Sequence, residues 1–218
     1  MKNKVIDLEK IMEHIHDGVT LMVGGFLAVG SPHAIIDAIV RKGVKDITLI
    51  SNDTGALGLG NSKLIASRLV KKVITSHIGT NPETGRQMMA GELEVQLVPQ
   101  GSLAEQIRCA GAGLGGVLTP TGVGTDAVKN KKIMSINGKD YVLELPLKAD
   151  VAIIRGSVVD TFGNTIYNKT TRNFNPLMAM AAKTVIVEAE KIVNVGELEP
   201  DYVMTPGIFI DYIIRGTN

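Results

Sequence analysis

The segment that most restricts what this chain can fold into is Gly24-Gly25-Phe26-Leu27-Ala28-Val29-Gly30-Ser31-Pro32. It leaves a short apolar run, Thr20 to Val23, that reads as a buried strand. It enters a helix with clear punctuation. Ser31 is the expected N-cap and Pro32 the first helical residue, Arg41 and Lys42 fill the last turn, and Gly43 fits the residue after the C-cap. Glycines in such a loop permit positive φ and let a ligand approach the backbone closely. Unpaired N–H groups at the following helix start favour an anion. An ordinary tight strand-to-helix turn would have the same letters, so both readings stand at this level.

The rest of the chain repeats the alternation. A helix is expected over Asp7–Asp17, with strands at Ile47–Ile50, Val73–Ile78, Glu94–Val98, Val151–Ile154 and Val185–Val187. Helices are expected at Leu64–Lys72, Leu103–Cys109 and from Asn175-Pro176 to Lys183. Ser102 and Glu105 have capping-box spacing. Asn81 to Gly91 is turn-rich and reads as a surface loop. Asn137-Gly138, between Ile133–Ile136 and Tyr141–Leu145, signals a type I′ hairpin. This order implies an α/β fold, an open and mostly parallel sheet covered by helices, with residues 1–218 as one domain. Glycines gather after strands, where ligands bind in open α/β sheets. They make up 24 of 218 residues, more than the usual share of about 7%.

Composition excludes several classes. The net charge is +1 and only 4 Tyr and 4 Phe are present, so nothing points to nucleic acid. Cys109 is the only cysteine, which fits a cytoplasmic chain without disulfides. The first residues carry acidic groups throughout and no apolar stretch, so no signal peptide is expected. No apolar run approaches a membrane span of ~18 residues.

Chemistry-bearing residues are sparse. His14 and His16 lack companion ligands and no metal site is expected. His33, in the first turn after the glycine loop, is placed to approach a ligand; His77 ends a strand and reads as a satisfied structural residue. Gly111-Ala112-Gly113-Leu114-Gly115-Gly116 spells a dinucleotide pattern but follows a helix, so it reads as a helix-ending connection. Gln100 stands between a strand and a helix start, where its amide could reach a carbonyl or carboxylate. Thr119–Thr125 is a polar loop of either kind. No nucleophile elbow and no defensible Ser-His-Asp order exist. Either the chain binds without catalysing, or the reactive group comes from another chain.

Asp17-Gly18-Val19-Thr20-Leu21-Met22-Val23-Gly24-Gly25-Phe26-Leu27-Ala28-Val29-Gly30-Ser31-Pro32 resembles the signature of the 3-oxoacid CoA-transferase family. SHIGTNPETGRQM from Ser76, LVPQGSLAEQIRCAGAGLGG from Leu97, LTPTGVGT from Leu118, RNFNPLMAMAA from Arg172 and MTPGIFIDYII from Met204 are similar too. The resemblance implies the α subunit of a bacterial enzyme acting on acetate, acetoacetate or butyrate, with the open α/β fold shared with sugar-phosphate isomerases. It implies CoA contact by Gly24, Gly25, Phe26, Leu27, Ala28, Val29 and Gly30, a supporting amide at Gln100, and a substrate-site segment with Asn173 and Asn175. It also implies that the nucleophilic glutamate lies on a β subunit, in a Ser-Glu-Asn-Gly-like segment that this sequence lacks. An α₂β₂ assembly follows, with acyl-CoA and short-chain carboxylates as substrates and no permanently bound cofactor. Arg155-Gly156-Ser157-Val158-Val159-Asp160 departs from the family's R-A-H-x-A-D. The alternative is a metabolite-binding sensor module of the same fold.

Overall fold

β1 (Thr20–Val23) lies inside the main sheet of the computed structural model, which describes residues 2–216. Ahead of it is a single helical turn, α1 (Leu8–Ile11), continued by a 3₁₀ turn at Met12–His14. The chain continues through α2 (His33–Lys42), β2 (Ile47–Ile50), α3 (Ser62–Ala66), β3 (Val70–Thr75), α4 (Pro82–Met89), β4 (Glu94–Leu97) and α5 (Gln100–Gly111). β5 (Val117–Thr119), β6 (Ile133–Ile136) and β7 (Lys139–Glu144) form a separate antiparallel sheet in the order β5-β7-β6. β8 (Ala149–Asp160), β9 (Thr165–Ile166), α6 (Asn175–Ala179), β10 (Ala182–Val193) and β11 (Tyr212–Arg215) return to the main sheet.

That sheet runs β11-β10-β8-β1-β2-β3-β4, all neighbours parallel, with β9 antiparallel on β8. Period-2 alternation splits its side chains between two faces. Leu21 and Val23 pack with Leu49, Ile153 and the α2 residues Ile35, Ile36 and Ile39. Met22 faces the other way, with Ile50, Ala152, Leu103 and Ile107 of α5, and Met178 of α6. Burial on both faces explains why the central strands, such as β1 and β2, read as apolar runs, whereas edge strand β4 is exposed and partly polar. The parallel arrangement also sets the ends of β1, β2, β3 and β4, with the loops that leave them, along one edge.

The expected α/β class and strand–helix alternation hold, as does the Asn137-Gly138 turn, whose φ values of 51° and 73° suit type I′. α5 ends at Gly111 with Gly113 left-handed, so the glycine run does terminate a helix.

Several boundaries differ for physical reasons. The helix expected over Leu64–Lys72 stops at Ala66: Arg68 turns left-handed at φ 53° and β3 starts at Val70 to pair with β2. Asp7–Asp17 yields only the short α1 and the 3₁₀ turn. Asn81–Gly91 is not a loop but contains α4, and its inner face is polar. Thr84 Oγ1 meets Thr54 Oγ1 at 2.9 Å and Gln87 Nε2 donates to the Ile65 carbonyl at 2.8 Å, so no apolar period marks it. α5 begins at Gln100, which puts Ser102 inside the helix without a capping bond, while Glu105 pairs with Arg108. α6 ends at Ala179 because β10 starts at Ala182 and matches β8 from Ala149 to Asp160. β11 closes the sheet after the last strand expected from sequence.

Candidate active site

The loop after β1 is a strained two-residue turn. Phe26 and Val29 exchange backbone hydrogen bonds of 3.0 and 2.9 Å. The residues between them, Leu27 and Ala28, both take left-handed φ, 46° and 70°. That conformation costs an L-residue roughly 1–2 kcal/mol. It is held from outside: the Leu27 N–H donates to Asp53 Oδ2 at 2.9 Å, and His33 Nε2 donates to the Ala28 carbonyl at 3.2 Å. Strain maintained by surrounding bonds clusters at ligand sites. The turn presents Phe26, Leu27 and Val29 to solvent, with Phe26 42% exposed. Among the described residues the N–H groups of Ala28 and Gly30 have no intramolecular partner.

Two asparagines brace this loop. The Gly25 N–H donates to Asn173 Oδ1 at 3.1 Å, and Asn173 Nδ2 donates to the Val29 carbonyl at 3.0 Å. Asn175 is fully buried. Its Nδ2 donates to the carbonyls of Gly30 (3.0 Å) and Thr171 (2.7 Å), and its Oδ1 accepts from the Arg155 N–H at 3.1 Å. It therefore does not cap α6, whose N-cap is Phe174. A Cβ on Gly24 would stand 1.8 Å from Asn175 Oδ1, which is why residue 24 has no side chain. The family resemblance implied a substrate segment at Asn173 and Asn175; their side chains reach the loop backbone, and of the two Asn173 also lines a cavity.

The start of α2 is not open to a ligand anion. Glu188, fully buried on β10, accepts from the Ala34 N–H at 2.8 Å and the Ile35 N–H at 3.1 Å. Its other oxygen meets Arg155 Nη1 at 3.2 Å. The protein's own carboxylate fills the place expected for a ligand, and it replaces Ser31, which does not cap. Burial pushes the Glu188 carboxyl above the usual carboxylate range, against the pull of its N–H donors and Arg155. Burial and Arg155 hold His33 below the ordinary imidazole value.

The strand ends meet around a cavity of about 410 Å³ lined by Phe26, Leu27, Asn52, Asp53, Ser76, His77, Thr80 and Gln100. Its polar groups are mostly engaged with one another. Gln100 Nε2 donates to Asn52 Oδ1 at 2.7 Å, Asn52 Nδ2 donates to Asp53 Oδ2 at 2.7 Å, and Asp53 Oδ1 accepts from the Gly55 N–H at 2.8 Å. Ser76 Oγ donates to the Asn52 carbonyl at 2.7 Å. On the other side of the tip, Phe26, Leu27, Val29, Thr170 and Asn173 line a more apolar cavity of about 510 Å³. The Phe26–Leu27 tip thus divides a polar chamber from an apolar one.

Gln100 lies at the polar chamber as its sequence position suggested. His77 differs from expectation: it is exposed at that chamber, and among the described residues its ring has no hydrogen-bond partner. Asn52 and Asp53 were missed, because Ser51-Asn52-Asp53-Thr54-Gly55 reads as an ordinary turn; its position directly after a parallel strand was the available signal. Cys109 is buried, and His14 stacks on Tyr212 with centroids 4.6 Å apart. Among the described residues no group of His, Cys, Asp and Glu could hold a metal ion.

Residues 5–216 match the family described as coenzyme A transferase. The chain belongs to that family. It is 55% identical over 215 residues to the acetoacetyl-CoA:acetate/butyrate CoA transferase alpha subunit of Clostridium acetobutylicum, covering 99% of each chain. It is 52% identical over 214 residues to the acetate CoA-transferase subunit alpha of Escherichia coli K12, covering 98% of this chain and 97% of that one. Its fold matches glutaconate coenzyme A-transferase from Acidaminococcus fermentans with TM-score 0.84 and 20% identity, over 97% of this chain and 75% of that one. It matches an acyl-CoA transferase of E. coli O157:H7, in a thioester complex with CoA, with TM-score 0.85 and 22% identity. That match covers 98% of this chain and 47% of the other, so this chain spans about half its length. The open, mostly parallel α/β sheet is the CoA-transferase fold. This is a subunit of an enzyme of the CoA-transferase type, and the sensor reading has no support among these relatives.

Proposed function

We propose that this chain is the α subunit of an enzyme that moves CoA from an acyl-CoA to a short-chain carboxylate or 3-oxoacid such as acetate, acetoacetate or butyrate. Its residues 1–218 act as one domain, in the cytoplasm, within an α₂β₂ assembly. The activities for which the relatives at 55% and 52% identity are named support that substrate class.

The observation that carries the reading is the pair of chambers meeting at the Phe26–Leu27 tip with no uncommitted carboxylate among the described residues that line them. Asp53, the carboxylate of the polar chamber, is occupied by Leu27, Asn52 and Gly55. The family resemblance implies that the attacking carboxylate is a glutamate of the β subunit, and the engaged Asp53 supports that reading. Its glutamate attacks the thioester carbonyl and CoA leaves as thiolate, giving an acyl–glutamyl anhydride. The thiolate then attacks the glutamyl carbonyl and releases the original acid, leaving a glutamyl–CoA thioester. The acceptor carboxylate reverses these steps, so ping-pong kinetics follow. Gly24 to Gly30 hold the CoA, with the Ala28 and Gly30 N–H groups as donors left for a ligand, and Gln100 supports the reacting carboxyl. Thioester attack develops negative charge on oxygen, which fixed N–H donors stabilise. CoA enters as substrate, and no resident cofactor has a part.

Co-expression with the β subunit should yield a complex that transfers CoA from acetoacetyl-CoA to acetate, while the α chain alone shows no transfer. Turnover by the isolated chain would overturn the reading.

A further inference from the structure

We propose that His77 is the group of this chain that binds the acceptor carboxylate in the polar chamber; this rests on the function proposed above. A small carboxylate entering that chamber needs a hydrogen-bond donor that the protein does not already use. The candidates can be taken in turn. Asn52 donates to Asp53, Ser76 donates to the Asn52 carbonyl, and Thr80 Oγ1 donates to the Gly55 carbonyl at 3.2 Å. Gln100 commits one N–H to Asn52. No lysine or arginine lines the chamber. Asn52 and Gln100 each keep a second N–H, but His77, two residues past β3, is the chamber side chain that can bring both a donor and a positive charge, and its ring nitrogens are unpartnered among the described residues.

The ring also has a built seat. A Cβ on Gly79 would stand 2.9 Å from His77 Cε1 and 3.2 Å from Nε2, so the missing side chain at 79 leaves the space the imidazole occupies. Gly79 has no left-handed φ, so backbone freedom does not explain it. The isolated parallel bridge between Asp53 and His77 fixes the base of the side chain against the loop that follows β2. An imidazole can donate from either nitrogen, and bears a positive charge when protonated. The apolar remainder of a short acid then rests toward the Phe26–Leu27 tip, which shares this chamber's wall.

The test uses the purified αβ complex and compares wild type with His77→Phe, His77→Gln and Gly79→Ala. A hydrogen bond to a charged group contributes about 1.5–3 kcal/mol, so His77→Phe should raise the KM for acetate or butyrate roughly 10- to 100-fold. The KM for acyl-CoA, dominated by contacts of the CoA moiety, should change by less than about threefold. His77→Gln, which keeps a donor, should recover most of the loss. Gly79→Ala, which displaces the ring without altering its chemistry, should raise the carboxylate KM in the same direction. An unchanged carboxylate KM in His77→Phe, or an equal rise for both substrates, would overturn the assignment while leaving the transferase reading intact. A wild-type complex without CoA transfer would overturn both.

Discussion

Glu188 does at one residue what a ligand was expected to do. It offers two acceptors to the first turn of α2 and an opposite charge to Arg155. Removing this carboxylate leaves the buried Ala34 and Ile35 N–H groups without an acceptor, at about 1–3 kcal/mol for an unsatisfied buried group, while Arg155 keeps Glu190 at 2.9 Å. Glu188→Ala should therefore lower unfolding free energy in urea by about that amount. His33 makes a second, pH-dependent prediction. Its folded pKa lies below the ordinary 6.5, because of burial and Arg155. As pH falls below 6.5 the unfolded chain takes up a proton that the folded chain resists. Stability contributed by neutral His33 is thus present above that pH and is lost as pH falls toward the folded pKa. Urea midpoints of wild type should drop over that window more steeply than those of His33→Gln. Above pH 7 the two slopes should coincide.

At the scale of elements, the strained turn after β1 is held by pieces from elsewhere: Asp53 after β2, Asn173 before α6 and Asn175 at its start. Asn175→Ala would leave the Gly30 and Thr171 carbonyls and the Arg155 N–H without their partner. An unsatisfied buried group costs about 1–3 kcal/mol. The variant should lose at least that in chemical denaturation, and the complex should lose turnover because the turn relaxes. The departure at Gly156-Ser157 also finds its use here. A Cβ on Gly156 would stand 2.6 Å from Val159 Cγ2 and 2.7 Å from Thr165 Cγ2, so β8 and β9 close over it. Ser157 Oγ accepts from the Asn168 N–H at 2.9 Å, anchoring the segment that leads to Thr170 and Asn173.

On the scale of the whole molecule, the parallel sheet lines up four strand ends and places the chambers there, and the one carboxylate among the described residues lining the polar chamber, Asp53, is already engaged. Completion by a second chain has a thermodynamic signature. A partner that binds the folded α chain raises its apparent stability by mass action. The melting temperature of the α chain should rise with β-subunit concentration. No change at concentrations well above that of the α chain would count against complex formation.

Much of this is legible in the sequence. Apolar runs and helix punctuation announced an α/β sheet, since a strand buried on both faces must be apolar along its length. The glycine loop and Gln100 pointed to the strand ends where the two chambers lie, because close backbone approach and strand-end position leave traces in local sequence. α4 left none, as its inward residues, Thr84 and Gln87, are polar and bond to neighbours. The partners of the loop left none either. Asn175 lies 145 positions from Gly30, and Glu188 lies 154 from Ala34. Sequence by itself determined which segments become strands and helices and where backbone must be bare, because those follow from periodicity and side-chain size. Only the tertiary structure decided that an internal carboxylate closes α2, that two asparagines are braces, and that His77 is unpartnered at the polar chamber. Those are contacts between residues far apart in the chain, and no local pattern encodes them.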